Sequence, residues 1–338
     1  MGSIEPPTPL TTLLTSLVPS RPDLTTSILP SLLTALSTIA SSLRTAQNVS
    51  PTSTTNTFGD AQLNVDILAE SALRAALSQC PSAHTASSEE DPIERPIHDD
   101  AANHTTSNSE TYTIAFDPLD GSSIIAPNWT VGTIIGIWDG PTALNAPPRE
   151  NQVAAVLGVY GPRTTAIIAI RFHQSQEEGQ VIELGLTDSG GWEIIRPLVH
   201  FLPSDSESET EPKYFAPANL RAASEDPRYM RLVTNYIEKR YTLRYSGGLV
   251  PDVVHALVKG QGVYLSPVTA SSKAKLRRLY ELCPLALVVE CAGGRAVDPT
   301  DGRDVLDRPV GGCDERGGLV CGTPEEVEFA MGVLLGEK

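Results

Sequence analysis

The stretch FDPLDGSS, residues 116–123, ends a strand-like run and is the strongest local feature of the sequence. Its two aspartates are separated only by Pro118 and Leu119, and Gly-Ser-Ser follows at once. Because Pro118 fixes its own backbone and lacks an N–H donor, we expect a rigid turn that holds both carboxylates. The glycine allows close backbone approach, and the successive N–H groups and hydroxyls can cradle an anion. Carboxylates beside an anion cradle need cations between them, and Mg²⁺ favours such oxygen ligands. The alternative is a surface turn, since the same residue types dominate turns.

Three further acidic segments are weaker signals when each is taken alone. Glu89 and Glu90 follow the strand-like residues 83–88, and they could belong to a solvated loop. Asp60 and Asp66 open a predicted helix over 60–77, where early carboxylates often only complement the helix dipole. Glu281 lies six residues after Lys275 on a predicted helix over 273–292, where an exposed glutamate is ordinary.

Composition restricts the classes of function. The chain has 338 residues, 40% of them hydrophobic, which predicts a soluble protein of two domains or one two-lobed unit. A net charge of -16 disfavours nonspecific binding to nucleic acid or to an anionic membrane. No apolar stretch is expected to reach transmembrane length, and no signal peptide is recognisable, so a cytoplasmic protein is predicted.

The cysteines also favour a reducing compartment. There are five, without a CxxC pair, which predicts neither a zinc site nor a disulfide framework. Cys313 and Cys321 could pair, but two free thiols are the simpler interpretation.

Periodicity divides the chain into two parts. The first contains helical patterns at 24–47, with a break or kink at Pro30, and at 60–77, followed by β-branched runs that predict a broad sheet: 112–116, 130–138, 152–161 and 164–172. The acidic, low-complexity stretch 203–213 reads as a linker or flexible loop. Beyond it, helices and a strand alternate: 226–240, 251–260, 262–266, 273–292 and 324–336. We therefore predict an α+β lobe over 1–204 and an α/β lobe over 205–338, with a metal site at their junction.

In their order along the chain, the acidic segments resemble the fructose-1,6-bisphosphatase family. The segments that carry this resemblance are GDAQLNVD (59–66), SSEED (87–91), FDPLDGSSI (116–124), YTLRYSGGLVPDV (241–253) and KAKLRRLYELCPLALVVECAGG (273–294). Three others resemble its sedoheptulose-1,7-bisphosphatase branch: NWTVGTIIGIWDG (128–140), NQVAAVLGVYGPRTT (151–165) and YFAPANLRA (214–222). The resemblance covers about residues 58–322. The DPxDGSS motif is shared more widely, with a Mg²⁺-dependent, Li⁺-sensitive phosphatase superfamily that includes inositol monophosphatases.

The resemblance implies a role for each matching residue. The implied metal ligands are Glu89, Asp117, the Leu119 carbonyl, Asp120 and Glu281, with Asp60 at an additional, looser site. Glu90, with Asp66 nearby, would accept the proton of the attacking water. The scissile phosphate would be held by Gly121, Ser122, Ser123 and Lys275. The distal phosphate would be held by Asn219, Arg244 and Tyr245, with Arg221 as a substitute donor. The resemblance also implies that Arg244 would act across a subunit boundary.

The same resemblance implies an α-β-α-β-α sandwich of the inositol-monophosphatase-like superfamily and an enzyme. It would hydrolyse the 1-phosphate of sedoheptulose 1,7-bisphosphate or a similar ketose bisphosphate with water activated by two or three Mg²⁺ ions, or Mn²⁺ in their place. A homodimer or homotetramer is implied as well. The alternatives are a fructose-1,6-bisphosphatase, a sugar phosphatase of a specialised pathway, or a non-catalytic phosphosugar-binding protein.

Several departures from the family pattern bear on specificity and regulation. Ser266 and Ala222 stand where the fructose enzymes carry tyrosines, which weakens the fructose-specific interpretation. Residues 21–24 do not match the nucleotide-inhibitor site of the gluconeogenic enzymes, so inhibition by AMP is not expected. The paired regulatory cysteines of the plastid enzymes are not recognisable.

Overall fold

The structure is a computed structural model that describes residues 9–55, 61–98, 110–172, 179–202 and 213–336. Asp60 and most of the predicted linker 203–213 lie outside these ranges. The helices are α1 (Leu10–Leu17), α2 (Leu29–Thr45), α3 (Asn64–Leu77), α4 (Ser122–Ile125), α5 (Pro148–Asn151), α6 (Pro227–Glu238), α7 (Leu249–Lys259), α8 (Cys283–Cys291) and α9 (Pro324–Leu335). The strands are β1 (Pro51–Thr55), β2 (Ala61–Leu63), β3 (Ala83–Ser88), β4 (Arg95–Pro96), β5 (Tyr112–Asp120), β6 (Val131–Asp139), β7 (Gln152–Tyr160), β8 (Thr164–Arg171), β9 (Gly179–Leu186), β10 (Trp192–Arg196), β11 (Tyr214–Pro217), β12 (Thr242–Leu243), β13 (Val263–Ser266), β14 (Leu276–Arg277), β15 (Arg295–Val297), β16 (Arg316–Gly317) and β17 (Leu319–Gly322).

Two large sheets organise the molecule. The first has eight strands in the order β10-β9-β8-β7-β6-β5-β3-β4, and every neighbouring pair is antiparallel except β3 with β5. The second has five strands in the order β12-β11-β13-β17-β15, with β11 parallel to both of its neighbours. Strands β5 to β8 are buried on both faces, which explains their nearly continuous apolar sequence.

Helices cover both faces of each sheet. Ile114 and Phe116 of β5 pack with the buried residues of α1 to α3, whereas Ala115 between them faces the core that contains α7 and α8. Phe215 of β11 packs with α6 and α9, and Ala216 faces the α7–α8 core. This alternation gives five layers with α7 and α8 shared between the sheets. The predicted α-β-α-β-α sandwich is confirmed. The division into lobes at residue 204 stays a prediction.

The helical pattern predicted over 24–47 begins with a π-helical turn at Leu24–Ile28, and α2 follows from Leu29. Together they form one helical segment of 22 residues that contains an 18-residue window with a mean hydropathy of 1.3, and it is long and apolar enough to cross a membrane by length and composition. The expectation that no stretch reaches this length is therefore wrong. However, Leu24, Ile28, Leu32 and Leu36 are fully buried among the residues of the large sheet. Such burial is what a core helix shows.

The helix predicted over 273–292 is shorter than expected. Residues 276–277 form strand β14, which pairs with β16, and a π-helical turn at Arg278–Leu282 leads into α8. Lys275 therefore precedes the helix and does not share it with Glu281, contrary to the prediction. The cause is a pairing with residues about forty positions away, which no local periodicity can reveal.

The predicted absence of disulfides is confirmed. All five cysteines are free thiols; four are buried and Cys313 is half-buried.

Candidate active site

Strand β5 carries Asp117 and Asp120 through a bulge. Asp117 pairs with Ile134 and Asp120 pairs with Gly132, so β5 has one more residue than β6 between these pairs. The predicted rigid turn is thus an irregularity inside a strand. The Leu119 N–H donates to Asp117 Oδ1 at 3.0 Å, and the Thr133 hydroxyl donates to the carbonyl oxygen of Pro118 at 2.9 Å. These bonds fix the backbone between the two aspartates.

Asp120 connects the large sheet to helix α7. Its two carboxylate oxygens accept the N–H groups of Leu249 and Val250, at 3.2 and 2.7 Å, in the first turn of α7. A carboxylate is favoured there by the helix dipole and by the unpaired N–H groups. The close approach requires Gly132, because a Cβ at this position would lie 2.5 Å from the Cβ of Val250.

Asp117, Asp120 and Glu281 converge on one buried point. One carboxylate oxygen of each lies within 4.8 Å of the others, and their exposed fractions are 3%, 7% and 6%. Burial raises the pKa of Asp120 to about 6 and that of Glu281 to about 7. Burial, together with the charges of Glu281 and Asp120, also raises the pKa of Asp117 well above its ordinary value. Three carboxylates so close together favour a bound cation over mutual repulsion.

Glu89 reaches the same region but pairs with an arginine. Its carboxylate forms an ion pair with the buried Arg277, whose backbone N–H donates to Glu281 Oε2 at 2.5 Å. Glu89 is therefore not one of the three mutually close carboxylates, and its role as a metal ligand stays a prediction. Sequence reasoning missed Arg277, because only the fold places this strand residue opposite the end of β3.

Glu90 and Asp66 lie beside the cluster. Glu90 accepts a hydrogen bond of 2.5 Å from the Gln62 side chain, and Asp66 Oδ2 accepts the Leu63 N–H at 2.8 Å. Asp66 Oδ1 is buried and has no hydrogen-bond partner among the described residues. Burial raises the pKa of Asp66 to about 6, and the charge of Glu90 contributes. The unsatisfied oxygen is available to a water molecule.

The predicted cradle follows Asp120 directly. Gly121 has a φ of +91°, in the left-handed region, and begins the short helix α4. Ser122, Ser123 and Lys275 are exposed and accessible to a ligand. In the loop that leads into α7, Asp252 accepts hydrogen bonds from the N–H and hydroxyl of Ser246 (2.6 and 2.8 Å) and from the N–H of Gly247 (3.1 Å). Asp252 was missed, although an aspartate in the first turn of a helix after Ser-Gly-Gly is a recognisable signal.

The residues predicted for the distal phosphate do not all share one environment. Arg244 and Tyr245 line a cavity of about 640 Å³ together with Asp252 and His255. Arg221 is exposed and acts electrostatically on Tyr245. The Asn219 amide instead donates to the carbonyl oxygens of Pro267 (2.7 Å) and Ser272 (3.3 Å). Its nitrogen is thus occupied in holding two loops together, and its contact with phosphate stays a prediction.

The donor set fits a hard divalent cation. Asp117, Asp120 and Glu281 offer only oxygen atoms, and neither thiol nor imidazole belongs to this group among the described residues. Such a set suits Mg²⁺ or Mn²⁺ rather than softer metals.

Comparisons with known proteins agree with this geometry. The family model described as fructose-1-6-bisphosphatase, N-terminal domain, matches residues 16–179, and the model for the C-terminal domain of the same family matches residues 208–334. A chloroplastic sedoheptulose-1,7-bisphosphatase from Triticum aestivum is 39% identical over 276 residues, covering 82% of this chain and 64% of the relative. A class 1 fructose-1,6-bisphosphatase from Syntrophotalea carbinolica is 34% identical, covering 88% of this chain and 85% of the relative. The chain thus spans somewhat less than two thirds of the length of the wheat relative.

Solved structures share the whole architecture. A crystal structure from Toxoplasma gondii that carries a provisional sedoheptulose-1,7-bisphosphatase assignment has a TM-score of 0.85 and 35% identity, with 97% of this chain and 99% of that chain covered. The fructose-1,6-bisphosphatase of Leishmania major in its holo form has a TM-score of 0.79 and 26% identity over the same coverage.

Proposed function

Because the chain belongs to the fructose-1,6-bisphosphatase family, we propose that it is a Mg²⁺-dependent sugar bisphosphatase, a phosphoric monoester hydrolase. Its substrate would be sedoheptulose 1,7-bisphosphate or a similar ketose bisphosphate, cleaved at the 1-phosphate. The observation that carries the proposal is the buried convergence of Asp117, Asp120 and Glu281. A protein with a net charge of -16 can hold an anionic ester there only with cations in between.

Asp117, Asp120, Glu281 and the Leu119 carbonyl would hold Mg²⁺, which would supply charge neutralisation of the phosphoryl group and an acidified water. The protein's own residues orient the reactants. We assign the N–H groups and hydroxyls of Gly121, Ser122 and Ser123 to the phosphoryl oxygens, and the mobile charge of Lys275 to the same group.

Proton transfer falls to two other carboxylates. Glu90 and Asp66 would accept the proton of the attacking water, and the unsatisfied Oδ1 of Asp66 supports this role. Glu89 would contact both the Arg277 guanidinium and a further cation. Its single negative charge would then be divided between these two partners. Asp60 is retained as a looser metal ligand by family resemblance alone.

The sedoheptulose substrate is placed first because the relatives at 38–40% identity carry that name. The cavity beside Arg244 and Tyr245 supplies a cation and a phenol for the distal phosphate, with Arg221 close to the same tyrosine. Fructose 1,6-bisphosphate is the second candidate, supported by the bacterial class 1 relative at 34% identity. The two-lobed division, a homodimer or homotetramer, and a cytoplasmic location are part of the same proposal.

Phosphate release from a panel of sugar phosphates, with and without Mg²⁺, tests the proposal. We expect Mg²⁺-dependent release from sedoheptulose 1,7-bisphosphate with a higher kcat/KM than from fructose 1,6-bisphosphate. Equal or better turnover of the fructose ester would make the second candidate the function. No release from any member of the panel would favour the non-catalytic alternative.

A further inference from the structure

The loop that carries Lys275 is held by a carboxylate that has no part in the proposed mechanism. Residues 267–275 join β13 to β14, and we call them the 267–275 loop. Glu225, an exposed residue two positions before α6, accepts hydrogen bonds from the Thr269 hydroxyl and, at 3.1 Å, from the Ser272 hydroxyl. Glu225 is 44 residues from Thr269 and 47 from Ser272 along the chain, so this contact depends on the fold.

The part of the loop that Glu225 holds is a compact turn. The Thr269 N–H donates to the Ser272 carbonyl at 3.0 Å, and the Ser272 N–H donates to the Thr269 hydroxyl oxygen at 3.0 Å. The Thr269 hydroxyl thus accepts one hydrogen bond and gives its single proton to Glu225. The hydrogen bonds from this turn, chiefly that from Thr269, lower the pKa of Glu225 and keep its carboxylate charged. A charged acceptor forms stronger hydrogen bonds than a neutral one.

Asn219 holds the same turn from a second position. Its amide donates to the carbonyl oxygens of Pro267 and Ser272, and its φ of +48° lies in the left-handed region, which is uncommon for a residue other than glycine. The hydroxyl of the buried Tyr229 in α6 donates to the neighbouring Ala218 carbonyl at 2.8 Å. The turn is therefore fastened to a segment that is itself attached to the core around α6.

Lys275 lies between two fixed points of the chain. Ser272 is held by the contacts just described, and Leu276 begins β14 and pairs with Gly317 of β16. The three residues 273–275 lie between these points, and so short a span leaves their backbone little freedom. A displacement of Ser272 therefore moves the backbone from which the Lys275 side chain extends.

The position of Lys275 affects substrate binding if this lysine contacts the phosphoryl group, so the next step rests on the proposed function. We propose that Glu225 is a positioning residue, which places the Lys275 ammonium at the phosphate of the substrate through the 267–275 loop. Without Glu225 the loop would have to be ordered when the substrate binds, and this ordering would oppose binding.

The expected effect of losing Glu225 is on KM. Lys275 would contact the phosphoryl group before as well as during hydrolysis, so its misplacement weakens the binding of the substrate and of the transition state to a similar extent. Such a loss raises KM and leaves kcat nearly unchanged. The contacts of Glu225 lie at the surface, where a single polar contact contributes little to the free energy of unfolding. The Tm should therefore stay close to that of the wild type.

Steady-state phosphate release from sedoheptulose 1,7-bisphosphate at saturating Mg²⁺ tests the role of Glu225. Glu225→Ala should raise KM at least about fivefold and change kcat less than about twofold. Thr269→Val with Ser272→Ala removes both hydroxyl donors and should raise KM at least as far. Adding Glu225→Ala to this pair should raise KM less than about twofold more, because the contact is already lost. The control is Glu238→Ala, on an exposed carboxylate at the end of α6, with a KM within about twofold of the wild type.

A second comparison asks whether Glu225 acts through Lys275. In the Lys275→Ala background, Glu225→Ala should change KM less than about twofold, because the group that it positions is absent. The same fivefold rise in both backgrounds would overturn the inference. A KM of Glu225→Ala no higher than that of the control would overturn it as well, and so would a loss of kcat as large as the rise in KM.

Hydrogen exchange measures the loop without any activity. The amides of Thr269 and Ser272 should exchange at least about fivefold faster in Glu225→Ala than in the wild type, and those of α6 should not change. Unchanged exchange of these two amides would show that Glu225 does not hold the loop. If the protein releases no phosphate from any ester, the proposed function fails. The dissociation constant of inorganic phosphate in the presence of Mg²⁺ then replaces KM in the same comparisons, with the same outcomes for and against Glu225.

Discussion

The Asp120 side chain has both a structural contact with α7 and a predicted role as a metal ligand. Its carboxylate accepts two N–H groups of α7 and lies within the cluster of three acids. Asp120→Asn keeps the size of the side chain and one hydrogen-bond acceptor but removes the negative charge. We expect turnover to fall about 100-fold or more, because even residues that only support metal ligands cost about 10–100-fold when lost.

The control for this substitution is Asp188→Asn, which removes an exposed charge from the turn after β9. Circular dichroism should show both variants folded. Activity of Asp120→Asn near that of the control would contradict the role assigned to Asp120.

Glu90 and Asp66 lead to a different kinetic expectation. Glu90→Gln keeps the contact with Gln62 but cannot accept a proton, so kcat should fall about 100-fold or more while the Mg²⁺ affinity changes little. Steady-state kinetics against Mg²⁺ concentration separates the two effects. A large loss of Mg²⁺ affinity at nearly unchanged kcat would reassign Glu90 as a ligand.

The raised pKa values of the cluster predict how stability depends on pH. Burial lifts the pKa of Asp120 from 3.8 to about 6 and that of Glu281 from 4.5 to about 7. The folded protein thus binds these protons more tightly than the unfolded chain. Their contribution to the stability of the metal-free protein is complete below about pH 4 and is lost as pH rises through about 6 to 7.

Mg²⁺ requires ionised carboxylates, so its effect has the opposite trend. Differential scanning calorimetry with excess Mg²⁺ or EDTA should show a larger Mg²⁺-induced rise in Tm at about pH 8 than at about pH 5. An equal rise at both values would mean that the cation binds elsewhere.

At the scale of elements, helix α7 can approach strand β6 only because residue 132 is glycine. A Cβ there would lie within 2.7 Å of three side-chain atoms of Val250. Gly132→Ala should push α7 away from Asp120, with a loss of about 1–3 kcal/mol in unfolding free energy and weaker Mg²⁺ binding.

Chemical denaturation and Mg²⁺ titration measure both effects of Gly132→Ala. Gly332→Ala in α9 is the control, because nothing lies within 4 Å of its added Cβ. If Gly132→Ala left stability and Mg²⁺ affinity unchanged, α7 would be shown to accommodate a Cβ at residue 132 without moving.

The N-terminal helices are fixed to the large sheet by Glu110. Its carboxylate accepts the N–H groups of Asp23 and Leu24, at 3.1 and 3.2 Å, where the long helical segment begins. Arg21 pairs with Asp139 of β6 beside it. Residues 21–24 are therefore held by internal contacts, in the segment whose sequence departs from the nucleotide-inhibitor site of the gluconeogenic enzymes, and the absence of inhibition by AMP stays a prediction.

Glu110→Gln should weaken this attachment by about 1 kcal/mol, as for loss of a charged group at a helix N-terminus. Denaturant unfolding measures the change, and Glu328→Gln on the exposed face of α9 serves as the control. A change no larger than that of the control would show that the carboxylate contributes nothing.

For the whole molecule, local patterns predicted the layers but not the long-range contacts. The β-branched runs identified β5 to β8, and the family resemblance supplied the five-layer order. The prediction wrongly placed Lys275 in the same helix as Glu281, because strand β14 between them forms by pairing with the distant strand β16. The helical pattern over 24–47 was predicted to have a break or kink at Pro30, and no stretch of transmembrane length was expected. Instead, the π-helical turn at Leu24–Ile28 continues directly into α2 and gives one helical segment of 22 residues.

In the candidate site, too, local patterns did not predict the long-range contacts. The DPxDG motif placed Asp117 and Asp120 together through adjacent backbone, and Glu281 joined them through the resemblance. The partners of these acids come from distant strands and helices. Arg277 beside Glu89 and Thr133 beneath Pro118 are consequences of sheet register, so a single sequence gives no sign of them.

Anomalous scattering from crystals grown with Mn²⁺ tests the central claim, that separated acidic segments form one cation site. The account predicts a strong anomalous peak within coordination distance, about 2.0–2.4 Å, of carboxylate oxygens from Asp117, Asp120 and Glu281. Excess Mg²⁺ should reduce this peak. No peak between these three side chains at saturating Mn²⁺, or a peak only at other surface carboxylates, would contradict it.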